Sequence, residues 1–216
     1  SSKMFTGTGP AQPFLDYTLW NLIGYSPCNT KNNCKSIILP NSEFVNLPTV
    51  LSKFKNLTNI DLWNCDSLQN VDGLANCTKL TSLNLEDCES LQNVDGLANC
   101  TKLLELYIGM PRPYDRNKLL QNIDSLSNCK ELTTLWLRNC DSLQNVDSLA
   151  NCTKLLELKL YSCSSLRDVN GIANLPNLEK LDVMFSYEIP ISLGRPEMWV
   201  RGQVELYQQR IRKSMK

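Results

Sequence analysis

Ten cysteines stand among 216 residues, and the chain has no histidine. Thiols at that density open three chemistries: a disulfide framework, a metal site or a nucleophile. The missing histidine removes every Ser–His and Cys–His arrangement. No C-x-x-C pair is present, so a zinc site lacks its usual ligands. There is no glycine-rich phosphate loop. Carboxylates such as Asp72 and Asp95 recur singly and do not converge in the pairs that acid–base work needs. The residues therefore point to no catalytic set, no cofactor and no metal, which leaves binding.

The spacing of the cysteines shows what positions them. "NCDSLQNVDGLANCTKL" (64–80) returns as "DCESLQNVDGLANCTKL" (87–103) and "NCDSLQNVDSLANCTKL" (139–155). Leu57 to Leu80, Leu80 to Leu103, Leu132 to Leu155 and Leu155 to Leu178 are each 23 residues; Leu103 to Leu132 is 29. A weaker copy starts at Cys34, which makes seven starts. A fixed short period marks a solenoid, whose repeats bury apolar faces only by stacking.

Each copy opens with apolar residues such as Leu80, Leu83 and Leu85, the last two alternating with an exposed residue as in a half-buried strand. Cys88 follows three positions later, and Cys65, Cys140 and Cys163 match it. This is the leucine-rich-repeat pattern L-x-x-L-x-L-x-x-N/C. The second half, "DGLANC" and its copies, reads as a one-turn or 3₁₀ segment. Asp72, Asp95, Asp124, Asp147 and Asn170 are expected to cap it with their side chains. The fold class expected is an α/β solenoid, a leucine-rich-repeat horseshoe with parallel strands on the concave face and short helical turns on the convex face.

Within that frame, Cys65, Cys88, Cys140 and Cys163 form one ladder and Cys77, Cys100, Cys129 and Cys152 another. Phe54 and Leu175 take the second position in flanking repeats, so it is a core position that accepts an apolar residue. Stacked side chains point the same way, into the core, so these eight are expected to be free thiols. Cys28 and Cys34 lie outside the regular array; they either close a small loop by a disulfide or add two buried thiols. Thiol ladders favour a reducing compartment, the cytoplasm or a host cytosol after secretion.

The expected organisation is an N-terminal cap over 1–33 with a helix in Pro13–Tyr25, repeats over 34–186, and a C-terminal cap helix over 187–216. Pro196 suits the start of that last helix, and Met198, Val200, Val204, Tyr207 and Ile211 its apolar side. Its basic end, with Arg210, Arg212, Lys213 and Lys216, is expected to be solvated. Net charge is zero; no apolar run spans a membrane and no signal peptide is legible at Ser1. A monomer that binds no nucleic acid is expected.

"LTNIDLWNCDSLQNVDGLANCTKLTSLNLEDC" resembles the leucine-rich repeats of bacterial proteins, above all the internalin type, with "LANCTKL" the closest echo. The likeness covers about residues 34–183. Cysteine replaces the ladder asparagine, as in the cysteine-containing repeat subtype, and the period is 23 where internalin repeats run 22. The resemblance implies a curved scaffold for protein recognition, often of a host protein by a bacterium.

Two rows of residues point out of the strands and change from repeat to repeat while the frame stays nearly constant. One runs Ile38, Asp61, Asn84, Tyr107, Trp136, Lys159, Asp182; the other Pro40, Trp63, Glu86, Gly109, Arg138, Tyr161, Met184. Trp63, Tyr107, Trp136 and Tyr161 are expected to be exposed there, beside Arg138, Lys159 and Met184, unless they pack on each other across strands. Tryptophan, tyrosine and arginine dominate interface energy. The six-residue insertion in "GMPRPYDRNKL" (109–119) adds Arg112, Tyr114 and Arg116, as a binding loop or a tolerated insertion. The expected function is a non-enzymatic protein-recognition module, possible as a secreted or host-directed bacterial effector. The alternatives are the substrate-recognition part of a larger effector enzyme such as a ubiquitin ligase, and an extracellular adhesin or glycan binder.

Overall fold

The computed structural model describes residues 34–109, 119–186, 188–193 and 201–216. The expected helix in Pro13–Tyr25, Cys28, the insertion residues Arg112, Tyr114 and Arg116, and Pro196, Met198 and Val200 lie outside the described residues.

Seven strands form one parallel sheet in chain order: β1 (Ser36–Ile38), β2 (Asn59–Asp61), β3 (Ser82–Glu86), β4 (Glu105–Gly109), β5 (Thr134–Arg138), β6 (Glu157–Lys159) and β7 (Lys180–Asp182). Each strand pairs with its neighbour at an offset of one repeat, as in Leu83↔Leu106 and Tyr107↔Trp136. The register holds the repeat frame in place, because a one-residue slip would turn Leu83 and Leu85 out to solvent. Both are fully buried, as are Leu80, Leu91 and Leu97 of the same repeat. Burying each contributes roughly 2 kcal/mol.

After each strand the chain bends sharply. Asn41, Asn64, Asp87, Asn139, Ser162 and Phe185 adopt the left-handed backbone, with φ of 53–61°. Asparagine and aspartate tolerate that region. The bend aims the next backbone N–H at the following repeat: Asn64 N–H donates to Glu86 O at 2.9 Å and Asn139 N–H to Tyr161 O at 2.8 Å.

The ladder cysteine follows the bend and faces inward. Cys65 donates to Leu39 O (3.3 Å), Cys88 to Leu62 O (3.4 Å) and Cys163 to Leu137 O (3.4 Å). In the last repeat Ser186 makes the same bond to Leu160 O at 2.6 Å. These three thiols tie their repeats to the strand end of the one before, whereas Cys140, after the irregular repeat, donates to Arg138 O of its own repeat at 3.7 Å. The second ladder is equally buried, with Phe54 and Leu175 in line with it. All eight ladder cysteines are free thiols. Cys34 is disulfide-bonded; the alternative of a pairing with Cys28 falls on a residue outside the described ones.

The expected 3₁₀ turns form at Asp72–Leu74, Asp95–Leu97, Asp124–Asn128, Asp147–Asn151 and Asn170–Ile172. Their capping differs from expectation. None of these turns has a side-chain cap on its own N-cap residue, and each begins at the Asp or Asn itself. The acceptor lies two residues earlier: Asn70 Oδ1 accepts from Asp72 N–H at 3.1 Å, and Asn93, Asn122, Asn145 and Asp168 repeat the bond. This is an Asx turn, which shapes the chain before the helical turn starts.

Helix α1 (Arg201–Ser214) packs Val204, Tyr207 and Ile211 into the core at the end of the solenoid. Gln208 Nε2 donates to both Ile172 O and Leu175 O at 2.9 Å. The basic end is not simply solvated, as expected. Arg210 donates to Leu193 O at 3.2 Å and Arg212 to Ala173 O, satisfying carbonyls that have no further repeat to pair with.

Burial pushes the thiols of Cys88, Cys100 and Cys129 up to about 12 and those of Cys77 and Cys152 to about 11. At pH 7.5 such a thiol is ionised to about one part in ten thousand. A thiol reagent should therefore find none of the eight ladder cysteines in the native protein and all eight in denaturant without reductant. Fewer than eight in denaturant would mean that ladder thiols are paired.

Candidate functional site

The register places the first variable row side by side: Asn84, Tyr107, Trp136, Lys159 and Asp182 are successive partners on β3 to β7. Trp136 is the centre. The Tyr107 ring meets it edge-on, centroids 4.9 Å apart at 80°. Lys159 Nζ lies 3.7 Å from the centre of the indole and the Arg138 guanidinium 4.3 Å. Each such cation contributes on the order of 1 kcal/mol at a half-buried ring. The indole N–H donates to Glu157 Oε1 at 3.0 Å.

Glu157 links the cluster to the next strands. It pairs with Lys159 at 3.4 Å and with Lys180 at 3.1 Å. Burial pushes its carboxyl up, but the hydrogen bonds from Lys180 and Trp136 and the two lysine charges outweigh that and hold it below the usual value. Arg138 pairs with Glu86 at 3.2 Å. These two residues stand two strands apart, with Gly109 between them in the register. Only a residue without a side chain leaves Arg138 an open path across β4. Gly109 also has φ of 92°, and a Cβ there would lie 1.7 Å from Arg138 O. Burial is the main reason that Glu86 and Asp182 sit above their ordinary values, with Arg138 pulling each of them down.

The aromatic residues are less open than the sequence suggested. Tyr107, Trp136 and Tyr161 are half-buried because they pack on neighbours across strands; Trp63 is the most open of the four, 37% exposed. Tyr161 packs edge-on against Phe185, centroids 5.4 Å apart at 87°, next to Met184. The structure thus gathers Tyr107, Trp136, Arg138 and Lys159 into one cluster, sets Tyr161 and Met184 at the β7 end, and leaves Trp63 at the end of β2. Asp61, Asn84 and Asp182 serve the backbone: each accepts the N–H two residues on.

Sequence reasoning passed over Glu157 and Lys180. They belong to a third outward row, Ser36, Asn59, Ser82, Glu105, Thr134, Glu157 and Lys180. The two-residue strand period already puts that row on the same face as the other two. Phe185 was also missed, since its side chain joins the face only through the left-handed bend.

The chain therefore has the leucine-rich-repeat fold. No protein-family model matches it and no curated protein matches its sequence. Internalin C2 from Listeria monocytogenes superposes with a TM-score of 0.50 at 20% identity, over 68% of this chain and 70% of that one. Another internalin from Listeria monocytogenes gives 0.48 at 19%, over 77% of this chain and 61% of that chain, so this chain spans less than two thirds of its length. The leucine-rich-repeat domain of the type III effector XopL gives 0.44 at 15%, over 89% and 95%. At these identities the likeness is one of fold.

Glu157 supplies a test of the cluster. Its lowered carboxyl contributes stability that is present above the unfolded value of about 4.3 and lost as pH falls through the lower folded value. Glu157→Gln should be less stable than the parent at pH 7, and the difference should close by about pH 3. Trp136 fluorescence should change over the same acid range in the parent and stay flat in the variant. An unchanged stability gap from pH 7 to pH 3 would mean that the carboxylate does not hold the indole.

Proposed function

We propose that the chain is a non-enzymatic recognition module that binds a protein through its concave face. The contact centres on Tyr107, Trp136, Arg138 and Lys159, with Trp63, Tyr161 and Met184 at its margins. The insertion carrying Arg112, Tyr114 and Arg116 lies outside the described residues; its charge, its aromatic residue and its place in the sequence next to Gly109 support counting it with the same interface. The observation that carries this reading is the contrast within one sequence. The frame repeats almost unchanged, while the outward rows vary and bring two aromatics and two cations together.

Preorganisation favours a protein partner. Stacking and ion pairs already hold the Trp136 side chain, so little rotamer entropy is lost on binding. The same contacts work against sugar stacking, because Lys159 and Arg138 already lie over the indole ring. The internalin-like phrase and fold support a role as a secreted or host-directed bacterial effector. The eight buried free thiols suit a reducing compartment, the cytoplasm or a host cytosol after secretion.

The test is capture from host and bacterial lysates by the parent and by Tyr107→Ala/Trp136→Ala, with folding of the variant confirmed by circular dichroism. A protein held by the parent and reduced about tenfold or more in the double variant is the expected result. Equal capture by both would overturn the assignment of the site.

A further inference from the structure

Zero net charge conceals a division of charge across the solenoid. All seven strands run parallel, so their N-terminal ends share one rim. On that rim stand Lys35, Lys53, Lys55, Lys79 and Lys102, all exposed. The opposite rim, past the C-terminal strand ends, carries Glu43, Asp66 and Glu89, also exposed. Through the first three repeats one carboxylate borders the basic rim: Glu105, exposed at the start of β4 beside Lys102, where it accepts from Ser82 Oγ at 3.2 Å. Glu131, which pairs with Lys154 at 2.6 Å, follows further along.

The rim is ordered by its backbone. Thr58 N–H donates to Lys35 O, Thr81 N–H to Thr58 O and Leu104 N–H to Thr81 O, each at 2.8 Å. The Thr81 hydroxyl donates to the Thr58 carbonyl at 3.0 Å, while Thr58 Oγ1 lies 3.0 Å from Lys35 O and 2.7 Å from Asn59 Oδ1, the nearer acceptor for its one proton. The Lys79 ammonium is 2.6 Å from Asn56 Oδ1 in the preceding repeat, so its position is tied to the stack. Successive rungs lie about 4.8 Å apart. The result is a line of ammonium groups interleaved with hydroxyl and amide side chains: Thr58, Asn59, Thr81, Ser82.

We propose that this rim, from Lys35 to Lys102, is a second binding surface, distinct from the concave cluster, that takes a linear sulfated polysaccharide. Sulfates spaced along the chain pair with the lysines, and sugar hydroxyls pair with the threonine, serine and asparagine side chains between them. Nucleic acid fits less well. Among the described residues the rim has no exposed aromatic on which a base could stack and no arginine to fork onto a phosphate. A membrane fits less well too, since an interfacial site needs apolar side chains among the cations and Leu104 is the first to come. The acidic rim turns away from such a ligand, so the field of the molecule orients its approach.

Heparin serves as the probe, with polyuridylate and vesicles of anionic phospholipid as competing ligands, all on the intact chain. The parent should bind heparin more tightly than either competitor, and binding should weaken steeply as salt rises. Lys55→Gln/Lys79→Gln/Lys102→Gln should lose about tenfold or more in affinity. Glu43→Gln/Asp66→Gln on the other rim should lose nothing, and Tyr107→Ala/Trp136→Ala should bind heparin as the parent does. Thermal unfolding of each variant separates lost binding from lost fold; if the triple variant is unstable, Lys102→Gln alone replaces it and should weaken binding severalfold. No heparin binding by the parent, equal binding by the folded lysine variants, or a preference for polyuridylate or vesicles would overturn the proposal. Loss of heparin binding in the concave variant would place the ligand on the other face.

Discussion

Each repeat is bonded in both directions: N–H groups at and past the strand end reach the repeat that follows, while N–H groups ahead of the strand, and in most repeats the ladder side chain, reach the one before. Leu62 N–H and Asn64 N–H donate forward to Asn84 O and Glu86 O, while the Cys65 thiol reaches back to Leu39 O. Neither bond exists within a single repeat. The apolar side chains obey the same condition, because Leu83 and Leu85 are dry only when repeats lie on both sides. Stacking in register is therefore the condition from which the rest follows. It sets the period, puts a left-handed bend after each strand, and demands that the last repeat be closed. Gln208 and the arginines of α1 make that closure by donating to carbonyls that another repeat would otherwise have taken.

The thiol at the ladder is a compromise between burial and bonding. An asparagine there could both donate and accept; a thiol donates weakly and costs less to bury. Where the chain uses Ser186 instead, the bond to the preceding strand shortens to 2.6 Å. The eight ladder cysteines, which first suggest reactive chemistry, are thus structural groups. Burial keeps solvent from them and stacking keeps them parallel.

Variation is allowed where stacking does not reach. Outward strand positions touch only their neighbours across the sheet, and there the chain sets Tyr107, Trp136 and Lys159 in one line. Gly109 shows how the frame and the face trade with each other. Its missing side chain lets the strand end turn and lets Arg138 cross to Glu86, so one residue serves both the backbone and the surface. The rims follow another rule. They lie at loop ends, and charge gathers where neighbouring repeats place like residues at one height, as with Lys79 and Lys102 on one rim and Glu43, Asp66 and Glu89 on the other.

The sequence alone determined the repeat, the strand frame, the buried position of the cysteines and the rows that face outward. Those are periodic properties, and periodicity survives in one dimension. It misplaced the turn acceptor by two residues, at Asp72 instead of Asn70, because both residue types form local caps and only backbone geometry separates them. Which outward residues meet was decided by the tertiary structure. Arg138 and Glu86 are 52 positions apart, and the open path between them depends on a glycine on an intervening strand. The exposure of the aromatics was decided there as well, since a ring on a sheet is as open as its neighbours leave it. Contact across strands depends on the size and charge of residues a whole repeat away, and no local pattern records that.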